Sequence, residues 1–414
     1  MPGSVNADCH ADWITMTIPD LSPARLPWDA ADPYPFYEAR RRGGDVVWDD
    51  TAQAWLVLGY HATREVLTGT QWTADPRASM AASGASDFFN STFVEASMLF
   101  TDGPAHDRLR GAVRDVFGRA FIKRLADGVE TICNDTVSTI PADESFDAMA
   151  QIALPLPIAV IGAWLGLDTD QCAALREHSS AIIRILGGFT DQEELAQGIG
   201  AAAVLLTEML PAAADRRTHP RDDLLSYIAA DASLTLGEVV TTAILIAVAG
   251  HETTANLLGA GLVRLLSPDD DGTCPADRID PADPGVVAEL LRLDSPVQAT
   301  ARTATADQTL TGIDIRCGET VLACVAAANR DPAVYADPDL FRPGRPGPAP
   351  LTFGHGAHYC LGAPLARLET TAALCHILRR GPALVGTPTW RDTPAIRGPL
   401  TVPVRFGVRC PSPL

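Results

Sequence analysis

Lysine is nearly missing from this chain: Lys123 is the sole one among 414 residues, and arginine carries the remaining positive charge. Acidic residues outnumber basic ones by 51 to 32, for a formal net charge of −19. That excess argues against general affinity for nucleic acid or for anionic membranes. No CxxC pair occurs. The nine cysteines (Cys9, Cys133, Cys172, Cys274, Cys317, Cys324, Cys360, Cys375 and Cys410) are scattered and odd in number. A disulfide framework and a CxxC-type zinc site are both disfavoured, and a reducing cytosol fits the pattern. The N-terminus lacks a basic segment followed by an apolar one, so no secretory signal is expected. Uninterrupted apolar stretches fall short of the ~20 residues a membrane span needs. These absences together point to a soluble, cytoplasmic protein with no membrane or nucleic-acid partner. No GxGxxG fingerprint is present, so the chain carries no evident dinucleotide site of its own.

What is present suffices for a large core, with 47% hydrophobic residues. Residues 1–20 show no clear period and read as a poorly ordered N-terminal tail. Residues 21–414 contain no linker and no internal repeat and read as a single domain, mainly α with a minor β region. Helices are expected over Pro33–Arg42, His61–Leu67, most of 104–216, the long stretch Leu236–Leu266, and Gly285–Leu293. Breaks are expected near Pro141, Gly187-Gly188 and Pro211. Two short strands are expected within Val46–Gly59, and others at Ala299–Thr305, Thr309–Ile315 and Thr320–Val325. Arg397–Phe406 reads as strand-turn-strand, and 70–100 as an irregular segment with spaced aromatics.

Four motifs carry chemistry. Phe353–Glu369 sets Gly354, Gly356 and Gly362 around Cys360, then starts a helix at Pro364. A thiol there feels the positive helix end, so its pKa is expected to fall; the bland alternative is a buried structural cysteine. The centre of the long helix, Ala249-Gly250-His251-Glu252-Thr253-Thr254, puts polar groups into an apolar helix, where they need partners. A helix bent by hydroxyl back-bonding is the alternative. Glu289 and Arg292 share a helix face at a spacing of three, as a surface pair also would. His106 and Arg110 stack near a helix start and suit a carboxylate, while Arg302 in a strand needs an anion if it faces inward.

In this order the motifs resemble the cytochrome P-450 family from about residue 30 to the C-terminus. Phe353, Gly356, His358, Cys360 and Gly362 are similar to its haem-binding signature, Ala249–Thr254 to its distal helix, and Glu289/Arg292 to its ExxR pair. Asn329-Arg330-Asp331-Pro332 with Phe341 and Arg345 resembles its meander, and Arg397-Gly398-Pro399-Leu400 its last substrate-side turn. The resemblance implies the cytochrome P-450 fold, with haem b sandwiched between a long distal helix and the cysteine loop. It implies Cys360 as axial iron ligand, with Phe353 shielding it and Gly362 beside it. His106, Arg110, Arg302 and His358 would hold the haem propionates. Ala249 and Gly250 would leave room for O2, Thr253 and Glu252 would manage protons, and Glu289, Arg292 and Arg345 would form a structural network.

The implied activity is monooxygenation of a small apolar substrate, hydroxylation or epoxidation, by a soluble bacterial-type monomer. With no flavin or iron–sulfur motif in the chain, electrons would come from a ferredoxin and an NAD(P)H-dependent ferredoxin reductase. The basic cluster Arg108, Arg110, Arg114, Arg119, Lys123 and Arg124 offers a docking face for an acidic partner. Candidate pocket residues are Phe88, Phe89, Met98, Ile246, Ala247, Val297, Gln298, Ala299, Leu400 and Thr401. Competing readings are a haem-thiolate isomerase, dehydratase or ligand sensor, a Cys360–His358 hydrolase, and a zinc site built from His355, His358 and Cys360.

Overall fold

The computed structural model describes residues 26–80, 95–186 and 192–407. The tail over 1–20, the Gly187-Gly188 break and the pocket candidates Phe88 and Phe89 lie outside them. The N-terminal part holds α1 (Tyr34–Arg41), β1 (Val46–Asp49), β2 (Ala54–Val57), α2 (Tyr60–Thr68) and β3 (Trp72–Thr73). The helical part follows with α3 (Gly103–Arg114), α4 (Arg119–Ser138), the short β4 (Ser145–Asp147), α5 (Pro155–Leu165), α6 (Thr169–Leu186), α7 (Gln192–Thr218), α8 (Leu224–Ala229), α9 (Leu236–Leu266) and α10 (Pro284–Leu293). Strands β5 (Thr300–Ala304), β6 (Gln308–Leu310), β7 (Ile313–Ile315) and β8 (Thr320–Ala323) precede α11 (Ala363–Arg379). The chain closes with β9 (Ala383–Leu384), β10 (Thr389–Trp390), β11 (Pro399–Thr401) and β12 (Pro403–Arg405).

Helix α9 is the axis of the helical part. Thr235 Oγ1 accepts from the Glu238 N–H at 3.2 Å, and Glu238 Oε2 accepts from the Thr235 N–H at 2.8 Å. This capping box sets the start. The helix is apolar around most of its circumference, so it is covered on all sides: α5, α6, α7 and α11 all pack on it. Helix α11 bridges α9 to α4. The main sheet has strand order β1-β2-β8-β5-β3, and its register sets Arg302 opposite Val321.

Several expectations change. Pro211 does not break the chain but lies inside α7, which packs on α6, α8 and α9; tertiary packing outweighs the lost hydrogen bond. The Glu193–Thr218 part of α7 is long and apolar enough to cross a membrane by length and composition alone. A scan for uninterrupted apolar runs misses it because Gln197, Thr207 and Glu208 interrupt the sequence. Thr309–Ile315 is a hairpin, not one strand: β6 and β7 pair across Thr311 and Gly312, both at positive φ (50° and 85°), as a tight hairpin turn requires. The two strands of Arg397–Phe406 do not pair with each other; β11 joins β10, and β12 joins β4 and β9. Strand β3, β4 and the π-helical turn Met149–Ala153 had no clear sequence signal.

The Glu289–Arg292 pair is buried, not a surface pair. Arg292 Nε and Nη2 donate to the two carboxylate oxygens at 2.8 Å each. Arg345 Nε and the Arg342 N–H both reach Glu289 Oε1 at 3.0 Å, and Arg292 Nη1 reaches the carbonyls of Asn329 and Pro338 at 2.9 and 2.6 Å. Burial opposes ionisation of Glu289, but Arg292, the Arg342 N–H and Arg345 outweigh it and hold its carboxyl below the usual range. A depressed carboxylate stabilises the fold above about pH 4.3, the unfolded value, and that contribution fades on acidification. Replacing Arg292 by Met leaves Glu289 with Arg345 and the Arg342 N–H alone and removes the donor to the Asn329 and Pro338 carbonyls, and should cost about 3 kcal/mol, the low end for a broken buried pair. Urea unfolding measures this; a midpoint unchanged at pH 7 would show the network to be dispensable.

Candidate active site

A cavity of ≈ 970 Å³ lies between α9 and the cysteine loop. The loop owes its shape to two glycines, Gly354 and Gly356, both at φ +72°. The Cys360 N–H donates to the Phe353 carbonyl at 2.8 Å, closing the loop. Gly362 is different: its φ is −74°, so it serves as the cap before α11 and not as a left-handed turn. Pro364 occupies the first turn of α11. Phe353, His358, Cys360 and Gly362 all line the cavity, and the Arg367 guanidinium lies 5.1 Å from the Phe353 ring centre.

The side chain of Cys360 is open to the cavity while lying deep in the fold. Its thiol does not titrate low, as a helix start alone predicts. Desolvation pushes it up, and the Gly362 and Ala363 N–H groups with Arg110 only partly offset this. Burial wins because the helix-end field is short-ranged and the surroundings are apolar.

Two guanidiniums share the cavity with the thiol. Arg302 is 9% exposed, and Nη1 donates to Thr300 Oγ1 at 3.0 Å and to the Ala301 carbonyl at 2.7 Å. Arg110 Nη2 donates to the Tyr359 carbonyl at 2.5 Å. Among the described residues neither has a carboxylate within salt-bridge distance, and desolvation lowers the pKa of both. His106 is buried beside them, with Nε2 lacking any hydrogen-bond partner, although it does not itself line the cavity. Its ring lies 4.4 Å from that of His358, and burial lowers its pKa. His358 Nε2 is 3.0 Å from Asp102 Oδ1. Burial disfavours the Asp102 anion, but His358, Thr73 and the Ala74 N–H hold it well below the usual range. This wall has cationic and donor groups in excess of its acids, and a ligand bearing carboxylates suits it. His355 Nε2 is occupied by Arg64 at 3.2 Å, so His355 and His358 point at separate partners rather than at a common metal.

On the opposite side, Ala249, Gly250, Thr253 and Thr254 line the cavity, and α9 continues unbroken through them. Thr253 Oγ1 back-bonds to the Ala249 carbonyl at 2.6 Å. Glu252 does not line the cavity. Its carboxylate accepts from Arg391 Nη1 at 2.8 Å and from Ser179 Oγ at 3.2 Å.

Among the pocket candidates, Met98, Ile246, Val297 and Ala299 line the cavity. Ala247 is packed in the core on another face of α9. Gln298 is fully buried as a structural bridge, donating to the Ser295 carbonyl at 2.6 Å and accepting from Tyr37 Oη at 3.3 Å. Leu400 is 56% exposed, and Thr401 pairs with Thr389 at 2.7 Å; neither reaches the cavity, because β11 turns to β10. Leu99, Phe100, Ile183, Leu245 and Ile396 line it without having been singled out. Ile183 and Leu245 belong to helical apolar runs; Asp102, Ser179 and Arg391 are polar residues with no local motif.

The two loop glycines give a graded test. A Cβ on Gly354 would meet nothing nearer than 3.6 Å, whereas one on Gly356 would sit 2.6 Å from the Leu67 carbonyl. Gly354→Ala must hold φ 72° and ψ −165°, a region essentially confined to glycine, and should cost about 1–3 kcal/mol. Gly356→Ala adds a backbone clash and should lower the thermal midpoint further; equal losses would contradict this reading.

Comparison with known proteins agrees with this geometry. Residues 284–380 match the cytochrome P450 family model. The chain is 36% identical to the cytochrome P450 monooxygenase PikC of Streptomyces venezuelae, over 91% of this chain and 92% of that one. It is 30% identical to the biotin biosynthesis cytochrome P450 of Bacillus subtilis, over 91% and 96% respectively. Two solved structures superpose closely. P450BioI in complex with an acyl carrier protein ligated to hexadec-9Z-enoic acid has TM-score 0.82 at 29% identity, covering 91% of this chain and 98% of that one. CYP109E1 from Bacillus megaterium in complex with testosterone has TM-score 0.81 at 27% identity, with the same coverage. With identity spread over nine-tenths of its length and a cysteine loop facing the central helix, the chain belongs to the cytochrome P450 family of monooxygenases.

Proposed function

We propose that Cys360 is the axial thiolate ligand of haem b and that the chain inserts one atom of O2 into a mostly apolar organic substrate. The observation that carries this reading is the cavity wall: a thiol beside two desolvated guanidiniums with no carboxylate partner. Arg110, Arg302, His106 and His358 would hold the propionates, whose two negative charges would relieve that imbalance. Phe353 would shield the sulfur, and the Gly362 and Ala363 N–H groups would tune it. Bound there, the haem would supply dioxygen activation.

The chain's own residues would supply the rest. Ala249 and Gly250, small residues on the α9 wall of the cavity, would leave room for O2. The Thr253 hydroxyl, held on the Ala249 carbonyl, remains free to accept a hydrogen bond and to move a proton across the cavity. Glu252 would relay protons only after leaving Arg391 and Ser179. Glu289, Arg292 and Arg345 would anchor the meander under the cysteine loop. Met98, Ile246 and Val297, with Phe100, Ile183, Leu245 and Ile396, would give a substrate subsite free of charge. A lipid, steroid, terpene or secondary-metabolite skeleton suits it. Residues 21–414 would work as one cytoplasmic, monomeric unit.

Electrons would arrive from a ferredoxin and its NAD(P)H-dependent reductase. Arg108 is engaged by Glu238 and Arg110 is turned inward, which leaves Arg114, Arg119, Lys123 and Arg124 as the exposed part of the basic cluster. Two measurements test the reading. A compound giving a substrate-type spin-state shift, incubated with NADPH, ferredoxin and reductase under labelled dioxygen, should acquire one labelled oxygen. Product whose oxygen comes from water would contradict it. Arg114→Glu with Arg119→Glu should slow ferredoxin-driven reduction at least tenfold at low salt and leave haem content intact; an unchanged rate would move the docking face elsewhere.

A further inference from the structure

Asp102 is the N-cap residue of α3, yet its side chain does not cap the helix. Other helices of the chain do use this device: Asp223 accepts from the Ser226 N–H at 2.7 Å, Asp283 from the Gly285 N–H at 2.8 Å, and Thr235 from the Glu238 N–H at 3.2 Å. At α3 the chain enters through Gly103 at φ +56°, and Pro104 removes the N–H of the second helical position. The Ala105 N–H is then the remaining target for a cap, and Asp102 does not take it. Its carboxylate is engaged elsewhere. Oδ1 lies 3.0 Å from His358 Nε2 in the cysteine loop, and Oδ2 accepts from Thr73 Oγ1 at 2.5 Å and from the Ala74 N–H at 2.8 Å, at the end of β3. A helix that forgoes a favoured cap loses stability at that end, so the diverted carboxylate serves other elements. Those elements form the wall that collects positive charge. Thr73, Ala74 and His358 line the cavity with Arg110 and Arg302, and the Asp102 charge acts on Arg302 as well. With Nε2 on Asp102, Nδ1 is the His358 ring nitrogen left without a partner among the described residues.

We propose that Asp102 is a positioning residue for haem: it gives up its own helix cap to hold His358 with Nδ1 turned to the cavity, where a propionate would sit. The inference rests on the haem-thiolate reading and on His358 as a propionate partner. The Asp102 carboxylate accepts the proton on Nε2, and its charge favours a second proton on Nδ1, which a propionate oxygen can accept. The same carboxylate joins the end of β3, the start of α3 and the cysteine loop. Helix α3 carries His106 and Arg110, so this one side chain fixes the spacing of several donors before haem arrives.

The test follows haem transfer from purified holoprotein to excess apomyoglobin by absorbance, with no turnover. Asp102→Ser removes the carboxylate and supplies a hydroxyl able to cap α3. Transfer should quicken about tenfold, the low end of what a partner behind a binding histidine contributes. His358→Ala should quicken it at least as much, and Asp102→Ser added to His358→Ala should change nothing further. An Asp102 that merely supports the fold would speed transfer equally in both backgrounds. Resonance Raman spectra of the holoproteins give a second readout. The propionate bending band should move in Asp102→Ser and in Asp102→Asn, in the direction it moves in His358→Ala. If Asp102→Ser yields no holoprotein, Asp102→Asn, which keeps an acceptor for Thr73 and Ala74, decides by that band. Unchanged transfer in Asp102→Ser, equal acceleration in both backgrounds, or an unmoved propionate band would overturn the role of Asp102 alone. Wild type that takes up no thiolate-ligated haem would defeat the haem reading itself.

Discussion

Positive charge with no carboxylate at salt-bridge distance, held in a cavity through the core, is the constraint around which this structure is arranged. Placing a guanidinium out of water costs several kcal/mol unless a partner compensates. The chain compensates elsewhere: Arg292 and Arg345 share Glu289, and Arg397 and Arg264 share Asp294. At Arg110 and Arg302 it does not, and both sit in one cavity with Cys360 and beside the unpartnered His106 Nε2. The two cavity guanidiniums thus differ from Arg292, Arg345, Arg264 and Arg397 in having no carboxylate at salt-bridge distance among the described residues.

The remaining architecture supports that arrangement. Helix α9 forms one wall and supplies the threonines, β5 brings in Arg302, and α3 brings in His106 and Arg110. The cysteine loop closes the other wall and is fixed by positive-φ glycines and by the Cys360–Phe353 backbone bond. The Glu289 network ties α10 to the irregular chain that leads into this loop. Glu252, the acid beside Thr253, is paired with Arg391 and Ser179 and turned away from the cavity.

Local chemistry was legible in the sequence, and long-range pairing was not. The bounds of α9 follow from a capping box and an apolar run, and the cysteine loop follows from glycines that need positive φ. The Glu289–Arg292 spacing identified a pair, but its burial depends on the meander carbonyls folding over it, 37 and 46 residues away. The resemblance assigns Glu252 to proton handling beside Thr253, but nothing local reveals its partner Arg391, 139 residues distant. The same limit hid the Asp102–His358 contact across 256 residues. Cys360 was expected to titrate low from the helix end beside it, whereas the apolar surroundings that raise it come from the whole fold. Gln298 and Ala247 look like pocket residues by position, yet one strand or helix face decides between cavity and core.

The central claim is that the cavity wall holds a haem by the Cys360 thiolate. The absorption spectrum of the purified, reduced, CO-bound protein tests it most directly. The account predicts the strongly red-shifted Soret band of a thiolate-ligated haem, lost in Cys360→Ser. A Soret band at the unshifted position in the wild type, or a shifted band that survives Cys360→Ser, would contradict it.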